Sequence, residues 1–360
     1  MDITARISVD GLGGDFAPQV VCEGVSLALQ RDDALQVTLT GPTDALEALA
    51  RTLPDDQRAR LTLHPTTEVI TMAEHPANAV RTKKDSSLVV AARLVKDGEA
   101  DGFFSAGSTG ACLAAGTLIV GRIPGVMRPA IATIFPGKRP TVFLDTGANA
   151  DVKPEYLLQF AQMGATYAQA VLDVEKPRVA LLNIGEEDTK GSKLAQESFA
   201  CLDAARACNS EKFDYIGNVE GRDLLAGAAD VVVTDGFTGN VTLKTLEGAS
   251  SFILGQLKEA LMASTLSKLA ALGLKGQLGG LKDRLNPDRY GGAPLLGVRG
   301  LVCIGHGSSS AEAIAAGILT TAKAVRGQVV ADIAAQVTQA AQVTQAQQAA
   351  PAAPDTPDTP

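Results

Sequence analysis

The chain has 360 residues and no tryptophan, and aromatic side chains make up only 4% of it. That scarcity argues against an aromatic-rich β-sandwich. Together with 36 glycines, it favours a compact α/β enzyme with many tight corners between strands and helices. Positive charge is also in short supply: 32 Lys and Arg stand against 40 Asp and Glu, for a net charge of −8. A phosphate backbone needs a basic face, so nucleic acid is not expected as a partner. The five cysteines (Cys22, Cys112, Cys201, Cys208, Cys303) are scattered, with no CxxC pair, and read as reduced, buried thiols. Three histidines (His64, His75, His306) lack zinc-ligand spacing, and no residue is assigned to a metal or a cofactor. No window reaches the roughly 20 uninterrupted apolar residues that a spanning helix needs. The start, MDITARISVDGLGGD, lacks the basic and apolar regions of a signal peptide. The expectation is a soluble, cytoplasmic protein that at most sits on a membrane surface.

What is abundant is one repeated pattern: a short apolar run, a polar turn, then a helical stretch. ISVD (7–10) leads to GLGGD, VTLTG (37–41) to PTDALEALARTL, GFFSAG (102–107) to STGACLAAG, and TVFLDTG (141–147) to ANADVKPEYLLQ. VALLNIG (179–185), DVVVTDG (230–236) and LVCIGHG (301–307) repeat it. Uniformly apolar strands alternating with helices indicate a three-layer α/β fold around a mainly parallel sheet. Ligands of such sheets bind beyond the carboxyl ends of the strands, and on this reading all the polar turns share one edge. The α/β domain is expected over 1–336. Residues 337–360, VTQAAQVTQAQQAAPAAPDTPDTP, have the composition of a disordered low-complexity tail.

Residues 251–285 differ in character. Leu254, Leu257, Leu261, Leu266, Leu269 and Leu272 fall near one helical stripe, with five basic and two acidic residues around them. An amphipathic basic helical hairpin suits an anionic lipid surface, an acidic protein or a dimer partner.

Several turns are rich in backbone N–H groups at expected helix starts: Gly13–Gly14, Gly107–Gly110, Gly147–Asn149, Gly236–Asn240 and Gly307–Ser310. Such nests suit phosphate oxygens. GLGGD falls short of a dinucleotide fingerprint because Phe16 stands where Gly or Ala belongs. Asp10, Asp145 and Asp235 end apolar strands, where a carboxylate needs a partner or a function. No nucleophile elbow is present, so an acyl transfer would take its nucleophile from a substrate.

The same turns resemble one family. DGLGGDFAP, EHPANAVRTKKDSSL, SAGSTGA, GVMRPA, LDTGAN, LLNIGEEDTKG, IGNVEGRDL, TDGFTGNVTLKTLEG, YGGAPLLGVRG and HGSSSAEAI are similar, in order, to motifs of the bacterial acyl-carrier-protein–phosphate acyltransferases of phospholipid synthesis. The likeness spans residues 5–326. Two departures stand out: Gly11–Leu12 where Ala-Met is usual, and Ser108 where Asn is usual. The resemblance implies transfer of a long fatty acyl group from acyl carrier protein to inorganic phosphate, giving acyl phosphate for glycerol-3-phosphate acylation. It also implies an isocitrate/isopropylmalate-dehydrogenase-like fold, a homodimer, membrane association and a partnership with glycerol-3-phosphate acyltransferase. For that chemistry the expected contacts to substrate are Gly13, Gly14, Gly107, Ser108, Thr109, Gly110, Asn149 and Asn240. Lys190 and Lys244 would counter charge, and Asp235 and His306 would orient groups or move a proton. A phosphate acetyltransferase-like enzyme using short acyl-CoA, a dehydrogenase of the same fold and a non-catalytic membrane scaffold are the competing readings.

Overall fold

A computed structural model describes residues 4–206, 211–265 and 290–338, with positions 268, 273, 276 and 279. The order along the chain begins β1 (Ala5–Asp10), α1 (Gln19–Arg31), β2 (Leu35–Gly41), α2 (Thr43–Thr52), α3 (Asp55–Arg58) and β3 (Leu61–Pro65). It continues α4 (Pro76–Thr82), α5 (Ser87–Lys96), β4 (Gly102–Ser105), α6 (Thr109–Ala115), β5 (Ala130–Pro136) and β6 (Pro140–Leu144). Then come α7 (Pro154–Leu172), β7 (Arg178–Leu182), α8 (Lys193–Ala204), β8 (Asp214–Val219) and β9 (Val231–Val233). The last described elements are α9 (Gly236–Met262), β10 (Ala293–Leu296), β11 (Leu301–Ile304) and α10 (Ala311–Arg326), followed by helix over 329–338.

All strands join one eleven-stranded sheet in the order β3-β2-β1-β4-β11-β10-β5-β6-β9-β7-β8. The pairs from β3 to β11 are parallel, and so are those from β6 to β8. Between them β10 runs antiparallel to β11 and β5, and β5 antiparallel to β6. The three reversals leave the β6–β8 half running opposite to the β1–β4 half. This corrects the expectation of a single ligand edge: the polar turns sort into two groups at opposite strand ends.

Apolar residues facing both ways explain the layers. In β4, Phe103 packs into the cluster holding α5 and α6, while its neighbour Phe104 packs into the cluster of α1, α2 and α10, as alternate strand residues must. In the other half α7 covers one face through Leu157, Phe160 and Tyr167, and Leu243 and Leu246 of α9 reach the opposite face. Leu46 and Leu49, three residues apart on one face of α2, are buried.

The helix at 329–338 runs two residues past the expected domain end at 336, and Val337 is buried in the core. The remainder of the expected tail, from 339 on, lies outside the described residues. So do the return arm of the expected 251–285 hairpin and Cys208.

Candidate active site

The first group of turns gathers at the ends of β1, β4 and β11. Asp10 closes β1 and is buried, 3% exposed. Its Oδ1 accepts from the Ser87 hydroxyl and from Leu12 N at 3.2 Å, and its Oδ2 from the Ser105 hydroxyl at 2.7 Å. Burial pushes this carboxyl up, against the pull of those hydrogen bonds. The Ser105 oxygen in turn accepts from Gly107 N at 3.0 Å. Gly13 lies so close that a Cβ there would stand 2.8 Å from Ser105 Oγ and 2.9 Å from both Asp10 Oδ2 and Gly107 N. Only glycine lets the first turn lie against the second. Asp15 N donates to Gly307 O at 2.8 Å, which adds the turn after β11.

Ser108 caps α6 by accepting from Ala111 N at 3.4 Å. Cys112 N makes the first bond of this helix, to Ser108 O at 2.9 Å, which leaves the Thr109 and Gly110 N–H groups without intrahelical acceptors. Gly110 abuts Pro76 at the start of α4. His306 is exposed, and its Nδ1 lies 2.8 Å from Ser308 Oγ and 3.3 Å from Ser308 N. The Ser308 N–H donates to Nδ1, which assigns the ring proton of the neutral form to Nε2. Exposed Met72 reaches toward Gly307, and Phe16 on the first turn is 61% exposed, so the mouth has an apolar rim.

The second group lies at the ends of β6 and β9. Asp145 is fully buried and accepts five hydrogen bonds. Oδ1 takes the N–H groups of Ile131, Gly147 and Ala148; Oδ2 takes Asn149 N at 2.7 Å and Asn149 Nδ2 at 2.8 Å. Burial pushes the carboxyl up, and the five donors pull it down. Asp235 caps α9, accepting from Thr238 N at 2.8 Å and from the Thr238 hydroxyl at 2.7 Å. Asn240 Nδ2 donates to Thr146 O at 3.2 Å.

The expected residues therefore divide. Gly13, Gly14, Gly107, Ser108, Thr109, Gly110 and His306 come together in the first group. Asn149, Asp235 and Asn240 belong to the second. The donor role expected of Asn149 does not fit, since its Nδ2 is spent on Pro129 O and Asp145 Oδ2, both at 2.8 Å. Lys244 is exposed, pairs with Glu247 at 2.8 Å, and stands about 12 Å along the axis from the start of α9 at 1.5 Å per residue. Lys190 is exposed in the loop after β7, where its carbonyl accepts from Asn183 Nδ2. The structure does not gather these two lysines with the Gly107–Gly110 turn through any bond among the described residues. Missed from sequence were Ser87 and Ser105, hydroxyls buried at a helix start and a strand end. A polar residue closing the apolar run GFFS was the available signal.

The family model described as "Fatty acid synthesis protein" matches residues 5–332. A phosphate acyltransferase of Bacillus cereus is 46% identical over 333 residues, covering 92% of this chain and 97% of that protein. One from Desulfitobacterium hafniense is 46% identical over 338 residues with the same coverage. The chain belongs to the phosphate acyltransferase family. Among solved structures, a Streptococcus pyogenes phosphotransacetylase superposes with a TM-score of 0.58 at 19% identity, covering 89% of this chain and 94% of its own. A Salmonella typhimurium chain proposed to be a 4-hydroxythreonine-4-phosphate dehydrogenase gives 0.50 at 14% identity, covering 89% and 99%. Both share the fold of this phosphate acyltransferase family member, a dehydrogenase-like α/β architecture. The chain is an enzyme of acyl transfer in fatty acid and phospholipid synthesis.

Proposed function

We propose that the enzyme moves a long fatty acyl group from acyl carrier protein to inorganic phosphate. The observation that carries this reading is the first group of turns, which offers N–H donors beside an apolar rim and no activated thiol. Cys112 and Cys303 are buried, which pushes their thiols up to about 12 and about 11; neither is a thiolate at neutral pH. The nucleophile is then the phosphate itself. One of its oxygens attacks the thioester carbonyl, and the tetrahedral oxyanion collapses with loss of the carrier thiolate. The carbon–oxygen bond replaces the carbon–sulfur bond, and the thiolate takes up the proton that phosphate gives up.

In this scheme the Thr109 and Gly110 N–H groups hold the anion at the start of α6, and Gly13 and Gly14 shape the wall. Preorganised donors of this kind stabilise developing charge without reorganising. His306 relays the proton. Phe16 and Met72 meet the acyl chain, each buried methylene contributing about 0.8 kcal/mol.

Helix α9 supports a homodimer. It buries only Gly236 and Gly239 along its 27 residues and exposes Phe237, Val241, Phe252 and Ile253, an apolar surface a second copy would cover. Its far end and the basic residues beyond serve the membrane surface, where acyl phosphate passes to glycerol-3-phosphate acyltransferase. Among the described residues no helix is long and apolar enough to cross a membrane.

Incubating the enzyme with palmitoyl acyl carrier protein and titrating the free thiol tests the reaction. Release is expected only with phosphate; equal release without it overturns the reading. Light scattering tests the dimer, and liposome flotation the membrane contact.

A further inference from the structure

We propose that Asp10 is a positioning residue for the phosphate-binding turn, acting through the Ser105 hydroxyl to fix the Gly107 N–H and the start of α6. The inference rests on the reading of residues 107–110 as the phosphate turn.

The argument is one of hydrogen-bond direction. An ionised carboxylate only accepts, and a serine has one proton to give. With Asp10 Oδ2 2.7 Å away, the Ser105 proton points at the carboxylate. The Ser105 lone pairs are left for Gly107 N, 3.0 Å away. The same carboxylate takes Leu12 N in the first turn, so one group sets the backbone of both glycine turns. Gly13 closes over it so tightly that a Cβ there would stand 2.8–2.9 Å from Ser105 Oγ, Asp10 Oδ2 and Gly107 N. No Lys or Arg pairs with Asp10 among the described residues. Both carboxylate oxygens act as acceptors, Oδ1 for the Ser87 hydroxyl and Leu12 N and Oδ2 for the Ser105 hydroxyl, and this fixes the direction of the relay.

Ser87 provides the comparison. Its hydroxyl donates to Oδ1 of the same carboxylate, but it has no bond to the 107–110 turn. Steady-state kinetics with phosphate varied, on the full-length enzyme with acyl carrier protein thioester, separate the roles. Asp10→Asn and Ser105→Ala are expected to lower kcat/KM for phosphate roughly a hundredfold, the scale of a misplaced reacting group, with KM for the thioester unchanged. Ser105→Cys, which keeps the shape and weakens both bonds, should fall in between and serves if the alanine variant does not fold. Ser87→Ala, which removes one donor to Asp10 and no bond to the 107–110 turn, should lower the melting temperature and reduce kcat/KM for phosphate far less than Ser105→Ala does. An unaffected Ser105→Ala overturns the positioning role alone, as does a Ser87→Ala loss equal to it. Phosphate-independent thiol release by the wild type overturns the functional reading beneath it.

Discussion

Replacing Asp145 by asparagine changes one oxygen to an NH2 group and leaves the volume almost unaltered, so its effect isolates the hydrogen bonds. In the native protein Oδ1 serves three backbone N–H groups and Oδ2 serves Asn149 N and Nδ2. With the asparagine oxygen kept at Oδ1, its NH2 faces two donors and both lose their acceptor. Turning the amide around is worse, because three donors then face nitrogen. Asn149 has one escape, to rotate its own amide and present oxygen; it then gives up Pro129 O, and two polar groups are still unpaired. Each orphaned buried group costs about 1–3 kcal/mol, so Asp145→Asn should destabilise by about 2–6 kcal/mol. In a domain this large that is a fall of roughly 3–9 °C in melting temperature. Differential scanning fluorimetry measures it, and amide exchange should show lost protection at 147–149. A variant melting within about 2 °C of the wild type would refute the assignment of Asp145 as the acceptor for this turn.

Three further outcomes follow from the geometry. Iodoacetamide at pH 8 should leave Cys112 and Cys303 unmodified, because with thiols at about 12 and about 11 only about one Cys112 in ten thousand is a thiolate; mass spectrometry of the folded enzyme reads this, and rapid labelling would count against it. Burial alone would push the Asp230 carboxyl up, but its hydrogen bonds from Arg178 outweigh that and hold it below the usual 3.8. The ionised pair therefore adds stability above the ordinary carboxylate range, lost as pH falls through the folded-state value. Acid melts of the wild type should lose stability more steeply than those of Asp230→Asn as pH falls below the usual 3.8. Gly239→Ala would set a Cβ 1.8 Å from the Asp145 carbonyl oxygen, displacing α9 at a cost of about 3 kcal/mol or more; a melting temperature equal to the wild type's would show that the helix start yields freely.

Strands β1, β2, β4, β6, β7, β9 and β11 were legible because strands covered on both faces leave largely apolar runs such as DVVVTDG and LVCIG. The runs at β5 and β10, AIATIFP and APLL, are equally apolar, but hydrophobicity carries no information about direction. These short reversed strands turn half of the sheet around, so a pattern read as one ligand edge became two. Edge strand β3 has no fully buried residue and edge strand β8 mixes exposed with buried ones, and both give a weaker signal still. At the site, glycine spacing marked the turns at 13–14 and 107–110. Which carboxylate organised them was hidden, because the partners Ser87 and Ser105 lie 77 and 95 residues from Asp10. A sequence does not show which N–H groups are already spent, as those of Asn149 are on Pro129 O and Asp145.

The position of β11 bears on how the chain is made. It inserts between β4 and β10, although some 200 residues separate it from β4. The closing helices then span both halves: Ile314, Ile318 and Ala322 pack in the first, and Val329, Ile333 and Val337 in the second. During synthesis, β4 leaves the ribosome with one hydrogen-bonding edge bare and keeps it bare until the last tenth of the structured chain emerges. Neither half can finish before the other has been translated. The order of assembly is set from the C-terminal end, with a long interval of exposed strand edge of the kind that chaperones cover.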